Sequence, residues 1–512
     1  MHAKTLFLQA VLTSLALAEF PWPPRKWTVG QEVDTSSGLL TGQKSDWQPE
    51  VSEYLGIPFA EPPIGDLRWA APRRYRSDDA QNATQFSPSC PANVASPPGS
   101  NLTYGSVRET IGGVLGQAGD TFSEDCLTVN VWTKPQTGAR KKPVLIWIYG
   151  GGFNTGNSRS PAYNGAALAN NYDVVVVTMN YRINIFGFPG APFLPDINLG
   201  ILDQRLAIEW ARDNIEEFGG DPDQMILFGQ SAGGGSTDMH AYAYPWNPIV
   251  KGYIPMSGSV SVRSPSTQSQ GSSWYATSKA LGCGGAEPGE ADSTLECMRK
   301  KPFQEILNAI KASTNPLEPA GFTFFPSADG KIVFDDYAKR QEEGKFARLP
   351  VLVGATNDEG GLAAITGPRP GPGGNSTGGL SGLSILGCGP HAAALARRNH
   401  GIPTWRYLYA GEWPNQDIGS EGAWHGADIG IVFGNTEYIT RRPDTEEQKK
   451  LIKTMSTAWT TFAKNPGYGL TALGYPLYTP ELPTVIRFGG ENSSEVAFET
   501  RTKYDAPCEA LE

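Results

Sequence analysis

Three short apolar runs restrict the fold of this chain more than any other feature. Pro143-Val-Leu-Ile-Trp-Ile-Tyr149, Asp173-Val-Val-Val-Val177 and Met225-Ile-Leu-Phe228 are too short for helices and lack polar alternation. Each therefore reads as a strand, and the first two as strands buried on both faces, the kind found in parallel sheets, whose neighbours must be joined by covering crossovers. The interval 201–218 supplies such a crossover: Leu202, Leu206, Trp210 and Phe218 fall near one helical face, and Gly219-Gly220 ends it. Residues 253–256, 349–353 and 404–409 continue the rhythm, and 446–462 reads as a closing helix. Strand and helix alternating over this length is the pattern of an α/β protein.

Two of the runs lead into glycine. Residues 225–228 enter Gly229-Gln-Ser-Ala-Gly233, and 143–149 ends in Gly150-Gly-Gly152. A Gly-x-Ser-x-Gly turn between strand and helix lifts its serine hydroxyl above the sheet edge, because the flanking glycines let strand and helix close without side-chain clashes. Alone it is a weak signal in a chain with 60 glycines, where a Gly-rich turn is the plain alternative. An attacking serine also needs a base, an acid to orient the base, and amide donors for the developing oxyanion.

The chain has five histidines. His2 lies in the N-terminal segment, and His240 falls in the helix after the elbow, before any acid, where a structural side chain is the simpler reading. His391 and His400 bracket the helical run 392–398, where an imidazolium suits the helix end. His425, in the glycine-flanked stretch Glu421-Gly-Ala-Trp-His-Gly-Ala-Asp428, is loop-like and lies downstream of Ser231, as the chain order Ser, Asp or Glu, His requires. Asn357-Asp-Glu-Gly360 follows a predicted strand directly, at the sheet edge where α/β sites gather. The residues alone do not separate Asp358 from Glu359 as the acid. The N–H groups of Ala232 and of the triplet 150–152 are the candidate oxyanion donors, since glycine lets an amide approach a substrate unobstructed.

Residues 1–18 have the basic start, apolar centre and small-residue exit of a secretory signal, leaving 19–512 as a single α/β unit. No other stretch approaches the roughly 20 apolar residues of a membrane span, so stable insertion is not expected. Six cysteines without close Cys-x-x-Cys pairs favour disulfides over metal. Asn82, Asn101, Asn375 and Asn492 head glycosylation sequons. A net charge of -10 argues against nucleic acid as a partner. Residues 27–73 read as strands and bends at a sheet edge, 90–126 as a large polar loop, 282–311 as helices carrying Cys283 and Cys297, and 367–382 as an exposed loop.

Taken together, Ser123-Glu-Asp-Cys-Leu-Thr-Val-Asn-Val-Trp132, Trp147-Ile-Tyr-Gly-Gly-Gly-Phe153, Gly219-Gly-Asp-Pro222, the elbow, Asn357-Asp-Glu-Gly360 and Trp424-His425-Gly426 with Val432-Phe-Gly434 resemble the type B carboxylesterase and lipase family, the cholinesterase-like α/β-hydrolases, and its fungal secreted members in particular. The resemblance spans nearly the whole mature length. It implies the α/β-hydrolase fold, a large, mostly parallel central sheet flanked by helices with a disulfide-closed, lid-like loop. It also implies Ser231 as nucleophile, Glu359 rather than Asp358 as acid, His425 as base, Gly151, Gly152 and Ala232 as oxyanion donors, and Ser259 as a serine supporting the acid. The implied disulfides are Cys90–Cys126, Cys283–Cys297 and Cys388–Cys508.

Three departures bear on the substrate. No tryptophan lies between Cys90 and Cys126, so the choline-stacking site of cholinesterases is missing. Gln230 precedes the nucleophile where cholinesterases and many lipases carry glutamate. The segment from Glu359 to Cys388 is short and rich in Gly and Pro, which predicts a more open pocket on that flank. The expectation is a secreted serine esterase acting on uncharged, small-molecule or lipid-like esters, with no metal or organic cofactor implied. A triacylglycerol lipase is the alternative within the family, disfavoured by the polar character of 91–124. An esterase or lactonase of specialised metabolism would use the same machinery. A non-catalytic adhesion relative would have lost the serine or histidine that this chain keeps.

Overall fold

The computed structural model describes residues 27–94, 99–260, 271–286, 291–311, 324–362 and 379–505. The predicted signal 1–18, Asn375, Cys508 and residues 363–378 lie outside the described residues, and with them the expected open flank of the pocket. The strands in chain order are β1 (Glu32–Thr35), β2 (Gly38–Thr41), β3 (Gln43–Lys44), β4 (Ser52–Pro58), β5 (Ala80–Asn82), β6 (Thr128–Thr133), β7 (Lys142–Ile148), β8 (Val175–Met179), β9 (Gly220–Gln230), β10 (Gly252–Met256), β11 (Val351–Thr356), β12 (Thr404–Tyr409), β13 (Val485–Phe488) and β14 (Val496–Glu499). β1, β2 and β5 form a small separate sheet.

The remaining strands form one sheet in the order β14-β13-β12-β11-β10-β9-β7-β8-β6-β4-β3. Its centre, from β8 to β13, is parallel, and antiparallel strands close both edges. β7 and β8 are buried along their whole length, as expected of strands covered on both faces. The strand order reverses at β7, which has β8 on one side and β9 on the other. The crevice outside the carboxyl ends of β7 and β9 is therefore the switch point where α/β sheets take ligands, and the glycine triplet and Ser231 follow those two strands.

The helices that bear on the site are α1 (Val107–Leu115), α2 (Leu199–Asn214), α3 (Ala232–Ala243), α4 (Gly379–Asn399), α5 (Ala427–Phe433), α6 (Thr436–Thr440) and α7 (Glu446–Lys464). α2 and α7 match the sequence reading, with a 3-10 turn, Ile215–Phe218, extending α2. Two expectations change. The segment 90–126 is not loop throughout, because α1 forms inside it: the Ser106 side chain accepts from the Glu109 N–H, and the Glu109 carboxylate accepts from the Ser106 N–H, two orphan N–H groups satisfied reciprocally. The exposed loop expected to reach Gly382 ends sooner, since α4 begins at Gly379 and runs through Pro390.

Cys90–Cys126 closes the lid-like loop and Cys283–Cys297 pins a second one. Cys297 is helical, as expected, whereas Cys283 lies in the turn after the helix Ser272–Ala280. Cys388 is disulfide-bonded, and its expected partner Cys508 lies outside the described residues. Asn82, Asn101 and Asn492 are exposed. No described helix is long and apolar enough to cross a membrane.

Candidate active site

Ser231 joins β9 to α3 in a conformation few residues adopt, φ 60° and ψ -123°. The strain is held from both sides: the Ser231 N–H donates to the Met256 carbonyl and its own carbonyl accepts from the Gly235 N–H, each at 2.8 Å. The glycines of the elbow are required by space. A Cβ on Gly233 would sit 2.0 Å from the Ile148 carbonyl oxygen, and one on Gly229 would sit 2.5 Å from that of Gly233. The turn is thus packed tightly enough to keep Ser231 above the sheet.

Glu359 comes from the turn after β11, and its Oε1 accepts from the Thr356 N–H at 2.9 Å. His425 comes from the stretch before α5, and its Nδ1 meets Glu359 Oε2 in a buried contact. The two segments are registered by a parallel bridge between Asp358 and Trp424. Asp358 therefore supplies backbone to this pairing, while Glu359 supplies the carboxylate. Among the described residues Ser259 Oγ has no hydrogen-bond partner, where the resemblance implies a serine supporting the acid. The serine beside the acid is Ser257, whose hydroxyl lies close enough to favour the ionised carboxylate but outside ordinary hydrogen-bond geometry.

The charges follow from these contacts. Burial works against ionisation of Glu359, yet His425, Ser257 and the Thr356 N–H outweigh it and hold the carboxyl below its usual range. Burial likewise pushes the His425 imidazole down, but the Glu359 carboxylate overrides this and the net direction is upward. A third acid, Asp428, is fully buried on α5. One oxygen accepts from Tyr407 Oη at 3.0 Å, and the other has no hydrogen-bond partner among the described residues. Burial first, and the nearby Glu359 charge second, push its carboxyl up to about 7. Gln230 lies beside the imidazole, its Nε2 3.1 Å from His425 Nε2 and 3.4 Å from Nδ1, so a neutral amide faces the histidine.

Gly151 and Gly152, at φ 114° and 60°, occupy backbone that a side chain would strain. Among the described residues the N–H groups of Gly151, Gly152 and Ala232 donate to no protein acceptor. Ser231, His425, Gly150, Gly151 and Gly152 line one cavity of about 320 Å³. Its walls include Ile111, Val114 and Leu115 of α1, Ile429 of α5, Ile439 of α6, and Leu362 and Tyr163. Among the described residues no Asp, Glu, Lys or Arg lines it. The apolar contribution of α1 was hidden in a loop that reads as polar, although its capping signature, Ser106-x-x-Glu109, stands in the sequence.

The other described histidines are occupied elsewhere. His240 is buried against Gln204, with burial pushing its imidazole down to about 3. His391 pairs with Tyr478 at 2.7 Å, and His400 faces the carbonyls of Gln341 and Glu342 at 2.9 and 3.1 Å.

Known proteins share this arrangement of elements. A family model described as the carboxylesterase family matches residues 30–371. The chain is 33% identical to Secreted lipase 5 of Gibberella zeae, with 99% of this chain and 98% of that protein covered. It is 34% identical to a chlorogenic acid esterase of Aspergillus niger, with 92% and 90% covered. Among solved structures it superposes on a thermophilic PNB esterase with a TM-score of 0.76 at 28% identity, covering 94% of this chain and 100% of the other.

Proposed function

The chain belongs to the carboxylesterase family and is a carboxylic ester hydrolase; from that premise we propose that Ser231, His425 and Glu359 carry the reaction and that its substrates are uncharged esters. The observation that carries this reading is the shared cavity: the strained Ser231, the imidazole held through Nδ1 by Glu359, and the glycine run all open onto it.

In this mechanism Ser231 Oγ attacks the ester carbonyl carbon while His425 Nε2 takes its proton. The carbonyl electrons move to the oxygen, which the N–H groups of Gly151, Gly152 and Ala232 stabilise; losing one such donor costs about 3 kcal/mol of barrier. The intermediate collapses, the alcohol leaves with the proton from His425, and an acyl-serine remains. His425 then deprotonates a water that attacks the acyl carbon, and the acid departs with the serine restored. Glu359 fixes the tautomer and steadies the imidazolium formed in each half.

Support for uncharged substrates comes from a cavity lined, among the described residues, by no Asp, Glu, Lys or Arg, and from the Gln230 amide where a carboxylate would attract cations. A second reading, a lipase, is favoured by Ile111, Val114 and Leu115, which give the lid loop an apolar face toward the cavity. Rates on tributyrin below and above its solubility limit separate the two, since a lipase accelerates at the interface. Secretion of residues 19–512 as one unit, with glycans at exposed sequons, is supported by the disulfides and by the likeness to a secreted relative. A fluorophosphonate tests the site: stoichiometric labelling mapped to Ser231 is expected, and labelling of another residue, or none, contradicts the proposal.

A further inference from the structure

The lid-like loop does more than cover the cavity. α1 ends at Leu115 with Gly116 as its cap, and the next residue, Gln117, adopts φ 55°, a left-handed conformation in which a side chain other than glycine or asparagine is uncommon. Gln117 is buried, and its amide is fully committed. Oε1 accepts from the Gly156 N–H at 2.9 Å, and Nε2 donates to Asp120 Oδ2 at 2.8 Å. A backbone donor at one end and a carboxylate at the other fix which way the amide points.

Asp120 is a hub. The same oxygen accepts from Ser89 Oγ and from Asn157 Nδ2, both at 2.6 Å, and its other oxygen faces Arg159 at 3.5 Å. Gln117 and Asp120 belong to the disulfide-closed loop and Ser89 directly precedes it, whereas Gly156 and Asn157 belong to the loop that begins with the glycine triplet. These two loops are thus tied by buried hydrogen bonds near the hydroxyl that attacks.

What the tie controls follows from peptide geometry. In a trans peptide the N–H points opposite the carbonyl of the preceding residue, so the Gly151 N–H is aimed by the Gly150 carbonyl and the Gly152 N–H by the Gly151 carbonyl. The Gly151 carbonyl is held by the Asn154 and Thr155 N–H groups, each at 3.1 Å. The Gly150 carbonyl lies against Gly156 so closely that a Cβ there would meet it at 2.4 Å. Moving Gly156 therefore frees the Gly150–Gly151 peptide to turn.

We propose that Gln117, seated on Asp120, is a positioning residue for the oxyanion hole: it grips Gly156 and so holds the Gly151 and Gly152 N–H groups in the direction the developing oxyanion needs. The lid loop then sets reaction rate as well as access. This inference rests on the reading of those glycines as oxyanion donors.

The test uses the full, oxidised protein with Gln117→Met, which keeps the approximate volume and removes the hydrogen bonds. Hydrolysis of p-nitrophenyl butyrate and inhibition by an alkyl trifluoromethyl ketone, which forms a tetrahedral adduct with an oxyanion, are measured in parallel. The expectation is that kcat falls by about 10- to 100-fold, the cost of a hole misplaced rather than abolished, that the ketone binds more weakly by a similar factor, and that KM changes by less than about threefold. Unchanged kcat with raised KM would overturn the proposal, leaving Gln117 as part of the cavity wall only; so would a fall in kcat with undiminished ketone affinity. If Gln117→Met does not fold, Gln117→Asn, which withdraws the same amide by one methylene, is expected to give the same split in milder form, and a wild-type kcat from it overturns the inference. A wild type that fails to hydrolyse the ester or to take the fluorophosphonate on Ser231 removes the catalytic reading itself, an outcome distinct from a failure of the clamp.

Discussion

Asp358 and Trp424 are joined by a single parallel backbone bridge, with the Asp358 N–H donating to the Ala423 carbonyl at 3.1 Å. One residue further along each segment stand Glu359 and His425, whose side chains meet as a buried pair. The pairing of Glu359 with His425 is therefore a matter of backbone register, and it makes the neighbouring carboxylates unequal. Glu359→Gln places an amide where the imidazole needs an acceptor, and kcat is expected to fall by up to about 10⁴-fold, as in other triads that lose their acid's charge. Asp358→Asn should stay within about twofold of wild type, as for substitutions away from special features. Steady-state kinetics of the two variants, side by side, checks this.

The acid limb of kcat/KM should report His425. In its proposed role as base His425 works neutral, and the Glu359 carboxylate raises its pKa above the ordinary imidazole value of 6.5. Activity is thus expected to hold on the alkaline side and to fall about tenfold per pH unit below that raised value. A profile of kcat/KM on p-nitrophenyl acetate from pH 5 to 9 measures it; a limb below 6.5 would contradict the assigned pairing.

Asp428 predicts a pH dependence of stability with the opposite character to ordinary acid unfolding. Burial pushes its carboxyl up to about 7 from the usual 3.8, so the folded protein binds a proton in that window that the unfolded chain does not. Stability from this group is fully present below the unfolded pKa and is lost as pH rises through the folded one. Asp428→Asn removes the titration and keeps an acceptor for Tyr407. The melting temperature of the wild type relative to this variant should therefore fall between pH 4 and 7 and level off above it; a difference independent of pH would contradict the assignment.

The wall supplied by α1 should govern acyl length. Val114 lines the cavity and is only half-buried, so Val114→Trp narrows the space without emptying a core position. Its kcat/KM on p-nitrophenyl octanoate should fall about tenfold relative to acetate, the scale on which an apolar pocket discriminates chain length. An unchanged ratio would place the acyl chain elsewhere.

Much of the framework was legible because the signals are local. β7, β8 and the end of β9 are continuous apolar runs, and the Ser231 elbow needs glycines at fixed offsets that the sequence displays. What failed depended on contacts between distant segments or on weak local patterns. Asp358 and Glu359 are chemically alike, and only the bridge to Trp424 separates them. Ser257 and Ser259 stand two residues apart in one turn, and which one approaches Glu359 is decided by backbone direction. α1 spans nine residues, too few for periodicity to show, although its capping box was there to be read. α4 was obscured by its glycines and by Pro390. Gly156 and Asn157, which Gln117 and Asp120 hold, lie some 40 residues away in the chain, beyond any motif.

The central claim is that one hydroxyl, on Ser231, performs the hydrolysis. The direct measurement compares wild type and Ser231→Ala, both shown to be folded by melting temperature, on p-nitrophenyl butyrate. The account predicts a loss of kcat of about 10⁴-fold or more, on the scale seen when a serine triad loses its nucleophile. Equal rates in the two proteins would contradict it.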